Sequence, residues 1–178
     1  MIEAFKKIPA LSALRIWGSK DDQSTKALKQ LAEGSINSVS FEGPYVNKNL
    51  ASEVFNKVDC IVVPSIWGEN SPLVIHEAQA CKIPVITADY GGMAEYVSHG
   101  VNGLLFRHRN VNSLNQQMEW AINNPSKMTD FGNHGYLYDI NGFVPEITVH
   151  CKKLEMIYEQ ICKKHEKSTL EINAGHQS

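Results

Sequence analysis

The chain has 178 residues, 43% of them hydrophobic, enough to build the core of one domain of ordinary size. Its 17 basic and 19 acidic side chains leave a formal net charge of −2, which gives no electrostatic basis for nucleic-acid binding by the chain as a whole. No apolar run approaches the roughly 20 residues of a membrane-spanning helix, and the opening "MIEAFKKIPA" has no signal-peptide core, so a cytoplasmic location is expected.

In chain order, "MIEAFKKIP" reads as a helix, and "LRIW" (14–17) as the first strand, being short and rich in aromatic and β-branched residues. Leu28, Leu31 and Ala32 have helical spacing. "SVSF" (38–41) is a second strand, Leu50, Val54 and Phe55 mark a further helix, and "CIVVPS" (60–65) a third strand. A helix over 72–82, the strand "PVITA" (84–88), a helix over 93–98 and the weaker strand "GLLF" (103–106) follow. Beyond Phe106 the pattern is helical only, with Leu114, Met118, Trp120, Ala121 and Ile122 in one segment and Ile147, Leu154, Met156, Ile157, Tyr158 and Ile161 in another. Strands separated by single helices imply right-handed crossovers, hence an α/β fold: a Rossmann-like, doubly wound parallel sheet with helices on both faces and C-terminal helices. Such a unit normally begins with a strand, so a first strand is expected upstream of the opening helix. The expected domain runs over 1–165, and the polar stretch 166–178 is expected to be frayed.

Cys60, Cys81, Cys151 and Cys162 form no C-x-x-C pair, so free thiols are expected rather than a zinc site or disulfide. More telling is "IWGENSPLVIHEAQACKIPV" (66–85), which sets Glu69 and Glu77 eight positions apart. Ser71-Pro72 reads as a helix start, with Ser71 as cap. The preceding residues then lie at the carboxyl end of a strand, where open α/β sheets bind ligands. The amides of Asn70, Ser71 and Leu73 at that helix start suit a phosphate. Glu77 has Leu73, Val74, Ala80 and Cys81 as helical neighbours and no Lys or Arg among them. A carboxylate so placed requires a partner from elsewhere, and two vicinal ribose hydroxyls would satisfy it as well as the backbone amides of a neighbouring loop would. Glu69 alone also fits a solvated loop acid, and His76, whose direction on the helix differs by about 100° from that of Glu77, is read as packed or exposed rather than as a general acid.

These residues carry a resemblance. "DCIVVPSIWGENSPLVIHEAQACKIPVITADYGGMAEYVSHGVNGLLF" (59–106) resembles the donor-binding half of retaining family 4 glycosyltransferases of GT-B fold, whose signature is E-x7-E followed by A-x-G-x-P-V and G-G-x-x-E. The resemblance extends from "LRIWG" to about Ile161. It implies a metal-independent enzyme, without cofactor, that moves a hexose from a nucleotide diphosphate sugar such as UDP- or GDP-hexose to a glycan or lipid-linked acceptor with retention. By the same resemblance Glu69 holds hydroxyls of the donor sugar and is the catalytic candidate, and Glu77 holds the ribose. Asn70, Ser71 and Leu73 offer amides to the sugar and distal phosphate, and the backbone at Tyr45 and Val46 holds the base. The acceptor-binding N-terminal domain is implied as a partner, and the full-length enzyme is expected to lie peripherally at a membrane.

Gly91 and Gly92 match the family's glycine pair and equally fit a strand-to-helix turn that needs positive φ. Glu95, at a helix start, is assigned no chemistry. Departures from the family pattern are Lys20 and Lys82 where glycine is common, and the absence of the Arg and Lys that the family carries ahead of the opening helix to neutralise the donor diphosphate. The nearest approach to a D-x-D pair is "KDD" (20–22), and no G-x-G-x-x-G follows a strand, which disfavours a metal-dependent transferase and an ordinary dinucleotide-binding domain. A non-catalytic nucleotide-sugar-binding module, or one subunit of a split transferase, is the alternative.

Overall fold

A computed structural model describes residues 1–9, 11–18, 23–137 and 143–175, with side chains through residue 165; Lys20 and the "KDD" stretch lie outside the described residues. The five apolar runs are strands: β1 (Ala13–Trp17), β2 (Ser38–Gly43), β3 (Ile61–Val63), β4 (Val85–Ala88) and β5 (Gly103–Phe106). All pairings are parallel, in two sheets of order β1-β2 and β3-β4-β5. β4 is buried along its whole length, with helices on its faces, and the hydroxyl of Thr87 is satisfied there by donating to the Val63 carbonyl at 3.2 Å.

The helices are α1 (Ile2–Phe5), α2 (Gln23–Ala32), α3 (Leu50–Glu53), α4 (Leu73–Ala80), α5 (Gly92–Glu95), α6 (Val111–Asn123), α7 (Pro125–Gly132) and α8 (Ile147–Gly175). Two are shorter than their apolar spacing predicts. The segment around Leu50 breaks into α3 between 3₁₀ turns at Asn47–Asn49 and Phe55–Lys57, and the helix expected over 93–98 stops at Glu95. Buried Leu50, Val54, Phe55, Met93 and Val97 still face the core, so packing kept the apolar pattern and lost only helical continuity.

α1 ties the two sheets together. Ile2, Ala4 and Phe5 are buried, and Lys6 Nζ donates to the carbonyls of Leu31 and Glu33 at the end of α2. On the other side Lys7 Nζ donates to Asn112 Oδ1, and Asn115 Nδ2 donates to the Ala4 carbonyl, both from α6. Among the described residues β1 pairs only with β2 and β3 only with β4, leaving one edge of each open. In the doubly wound order the first strand lies centrally, between the strand that its own helix leads into and the fourth. β1 and β3 each have a second edge with no strand partner among the described residues.

By itself the described backbone of α8 is helical to Gly175, and the chain divides into two compact units, Met1–Tyr138 and Asp139–Ser178. The four thiols are free. Burial, with a smaller push from Asp59, raises the Cys60 pKa to about 12, so this thiol behaves as a small hydrophobe.

Lys82 follows α4 with φ of +60°, the left-handed conformation in which a glycine would carry no Cβ strain. Its carbonyl sits against Gly132, where an added Cβ would lie 2.1 Å away. Lys82→Gly is therefore expected to stabilise the chain by about 0.5 kcal/mol, the relief of left-handed strain less the extra entropy of an unfolded glycine. A thermal melt shifted upward checks it, and a clear downward shift contradicts it.

Candidate functional site

The loop from Pro64 to Pro72 joins β3 to α4 at the carboxyl end of β3, and Glu69, Asn70 and Ser71 stand in it as expected. What holds this loop is the glycine pair. Gly91 has φ of +58° and ψ of −155°, a conformation open to glycine almost alone, and the Gly92 amide donates to the Glu69 carbonyl at 2.8 Å. A Cβ on Gly92 would lie 1.7 Å from the Asn70 carbonyl oxygen, so the α5 backbone presses directly on the loop that carries Glu69. The positive-φ reading of Gly91 stands, and Gly92 has the further task of close approach.

α4 begins with Pro72 in the cap position and no side-chain cap, which corrects the expected capping by Ser71. The serine hydroxyl is engaged elsewhere, 2.6 Å from His76 Nε2. The amides of Asn70, Ser71 and Leu73 have no hydrogen-bond partner among the described residues. They are donors at the positive end of a helix dipole, an arrangement that suits an anion.

Ile75 and Ala78 bury one face of α4, and Glu77 is half-buried beside them. No described side chain or loop amide pairs with its carboxylate, so the expected alternative, in which it holds a neighbouring loop, is not seen among the described residues. Its nearest electrostatic consequence is on Cys81, one turn on, whose thiol is raised by burial and by the Glu77 charge. Glu69 is likewise half-buried with no side-chain partner. Two carboxylates and three free amides thus stand on one loop and the helix that follows it.

Tyr45 and Val46 lie at the carboxyl end of β2, Tyr45 half-buried and Val46 exposed. The Val46 amide donates to Glu53 Oε2 at 3.4 Å and its carbonyl accepts from Asn49 at 2.8 Å, so both main-chain groups are already engaged. Glu95 is exposed in α5.

Three residues beside the loop, Gln79, Tyr96 and Tyr136, have no place in the sequence expectations. Gln79, 2% exposed, donates to the Tyr96 carbonyl at 2.9 Å and accepts from the Tyr136 amide at 3.1 Å, and the Tyr136 hydroxyl hydrogen-bonds His76 Nδ1. His76, Tyr96 and Tyr136 pack edge-on or tilted within 4.5 to 5.5 Å. His76 is therefore packed, as expected, and also bonded on both ring nitrogens. Gln79 beside apolar Ile75 and Ala78 on α4 is the sequence feature closest to this cluster, and its burial is a matter of the fold.

The fold is a Rossmann-like α/β domain of the GT-B class, and the candidate loop lies at the carboxyl end of β3, where open α/β sheets bind ligands. Residues 1–138 match the family model for glycosyl transferases group 1, and the chain belongs to that family. It is 33% identical over 123 residues to a D-inositol 3-phosphate glycosyltransferase of Gordonia bronchialis, covering 68% of this chain and 26% of that protein. A Mycobacterium marinum protein of the same name is 34% identical over 125 residues, covering 68% and 25%. Among solved structures, Anabaena HepE in complex with UDP-glucose superposes with a TM-score of 0.63 at 26% identity, over 75% of this chain and 37% of that one. Sucrose-phosphate synthase of Thermosynechococcus elongatus gives 0.70 at 23% identity, over 92% and 41%. The chain spans about a quarter of the length of these curated relatives. No helix among the described residues is long and apolar enough to cross a membrane.

Proposed function

We propose that this chain is the donor-binding half of a retaining glycosyltransferase that moves a hexose from a nucleoside diphosphate, UDP or GDP, to a glycan or lipid-linked acceptor at the cytoplasmic face of a membrane. The observation that carries this reading is the partnerless, half-buried Glu77 carboxylate on the helix whose free amides open at Asn70, Ser71 and Leu73. Glu77 accepts from both ribose hydroxyls, the amides take the distal phosphate and sugar, and Glu69 holds sugar hydroxyls near the reacting carbon. The base rests on the segment at Tyr45 and Val46, through Tyr45 backbone and the exposed Val46 side chain, since the Val46 amide is taken. Catalysis is positioning plus stabilisation of charge on the departing diphosphate, which the reading assigns to the helix start and to cationic side chains rather than to a metal ion.

The experiment is calorimetric titration with UDP, GDP and NAD. Binding of a nucleoside diphosphate in preference to NAD is expected; equal binding of NAD, or of none of the three, contradicts the reading. The resemblance assigns neutralisation of the diphosphate to an Arg and a Lys ahead of the opening helix, and closure of a water-excluding cleft to an acceptor domain. The 178-residue chain is therefore expected to bind UDP-glucose weakly and to transfer negligible sugar, and turnover like that of a complete transferase contradicts this.

A second reading, a non-catalytic nucleotide-sugar-binding module or one subunit of a split transferase, is favoured by the edges of β1 and β3 that have no strand partner among the described residues, which a strand from a second chain can fill. Transfer restored on co-expression with a separate acceptor-domain chain supports the split form.

A further inference from the structure

Ser71, His76 and Tyr136 form a chain of hydrogen bonds that ends at the loop bearing the free amides. Ser71 Oγ lies 2.6 Å from His76 Nε2, and the Tyr136 hydroxyl meets His76 Nδ1. A neutral imidazole has one N–H and one lone pair, so only two orders are open to it. In one, Tyr136 donates to Nδ1, Nε2–H donates to Ser71 Oγ, and the serine proton is left for an incoming acceptor. In the other, Ser71 donates inward to Nε2, Nδ1–H donates to the phenol oxygen, and the loop is left with a lone pair where an anion needs a donor.

We infer that His76 and Tyr136 are positioning residues that hold Ser71 in the first order, so that its hydroxyl donates to a phosphoryl oxygen of a nucleoside diphosphate alongside the amides of Asn70, Ser71 and Leu73. The inference rests on the donor-binding reading above for the identity of the ligand. The anchoring is built for it. Buried Gln79 fixes the Tyr136 amide and the Tyr96 carbonyl at 3.1 and 2.9 Å, which sets the two rings that flank His76. Burial, with a smaller contribution from Tyr96, raises the Tyr136 pKa above its ordinary value, so the phenol keeps the proton that it donates.

The test is a long-range ¹H–¹⁵N spectrum of the histidine-labelled chain, with His76 assigned through His76→Gln. Protonated Nε2 and bare Nδ1 are expected in the free protein; protonated Nδ1 with bare Nε2 overturns the inference. Tyr136→Phe is expected to lose that tautomer preference and to weaken UDP binding about fivefold. Ser71→Ala weakens it by a similar factor, and adding Tyr136→Phe to Ser71→Ala costs nothing more, because both act through one hydroxyl. Additive losses contradict the inference. If Tyr136→Phe fails to fold, the wild-type tautomer still decides the order, and His76→Gln replaces it in the affinity cycle. Should UDP fail to bind the wild type while Nε2 carries the proton, the donor reading and the phosphoryl ligand fall, and the hydrogen-bond order stands.

Discussion

Gly92→Ala is expected to destabilise the chain by about 3 kcal/mol, at the upper end of overpacking costs, and to abolish most of the affinity for a nucleoside diphosphate. The added Cβ would lie 1.7 Å from the Asn70 oxygen, 2.3 Å from the Asn70 carbonyl carbon and 2.8 Å from the Glu69 oxygen. All three are backbone atoms, so no side-chain rotation relieves the clash. Either α5 retreats, breaking the Gly92 amide bond to Glu69, or the loop moves and takes Glu69 and the free amides with it. Gly68, in the same loop, is the control. A Cβ there meets only the Tyr90 ring at 3.5 Å or more, so Gly68→Ala is expected to change stability by less than about 0.5 kcal/mol. Denaturant melts of the two variants, with UDP titrations of both, check the contrast. Equal stability of Gly92→Ala and Gly68→Ala contradicts the role of the glycine pair as the support of the site.

Glu77→Ala should separate function from stability. Its carboxylate has no partner among the described residues, and its helical neighbours at three and four positions are apolar. Removing it therefore breaks no hydrogen bond or ion pair among the described residues, and alanine favours the helix by a few tenths of a kcal/mol. Stability is expected to hold within about 0.5 kcal/mol or to rise, while UDP affinity falls by about ten- to a hundredfold, the loss of charged hydrogen bonds to two ribose hydroxyls. A variant that loses stability and keeps affinity would mean that Glu77 is a structural residue.

The two variants probe features of unequal legibility in the sequence. The strands were readable because each is a short apolar run bounded by turn residues, and β4, buried throughout, reads as the continuous hydrophobic stretch a central parallel strand requires. Glu77 was readable because helical periodicity fixes its local neighbours, and none of them is a cation. Gly91 was readable as a positive-φ turn, whereas the approach of Gly92 to Asn70 was not, since it depends on two loops meeting across the carboxyl ends of β3 and β4. The cap at Ser71 was misjudged for a related reason. Local chemistry favours a serine before a helix accepting from its amides, but His76 on the next turn, held by Tyr136 from beyond α7, competes for the same hydroxyl. The interruption of the helix near Leu50 also follows from packing, which local propensity does not encode.

The separation of the two sheets bears on both readings of function. An open parallel edge exposes unpaired backbone groups, and the covering of β1 and β3 by one strand would join the sheets into a single doubly wound core.

The most direct test of the central claim is a crystal structure of the chain with UDP. The prediction is ribose hydroxyls on the Glu77 carboxylate, the distal phosphate on the amides of Asn70, Ser71 and Leu73, and the uracil beside Tyr45. UDP seated elsewhere, such as the roughly 500 Å³ groove lined by His99, Gln117, Trp120 and Lys127, with Glu77 unoccupied, would contradict it.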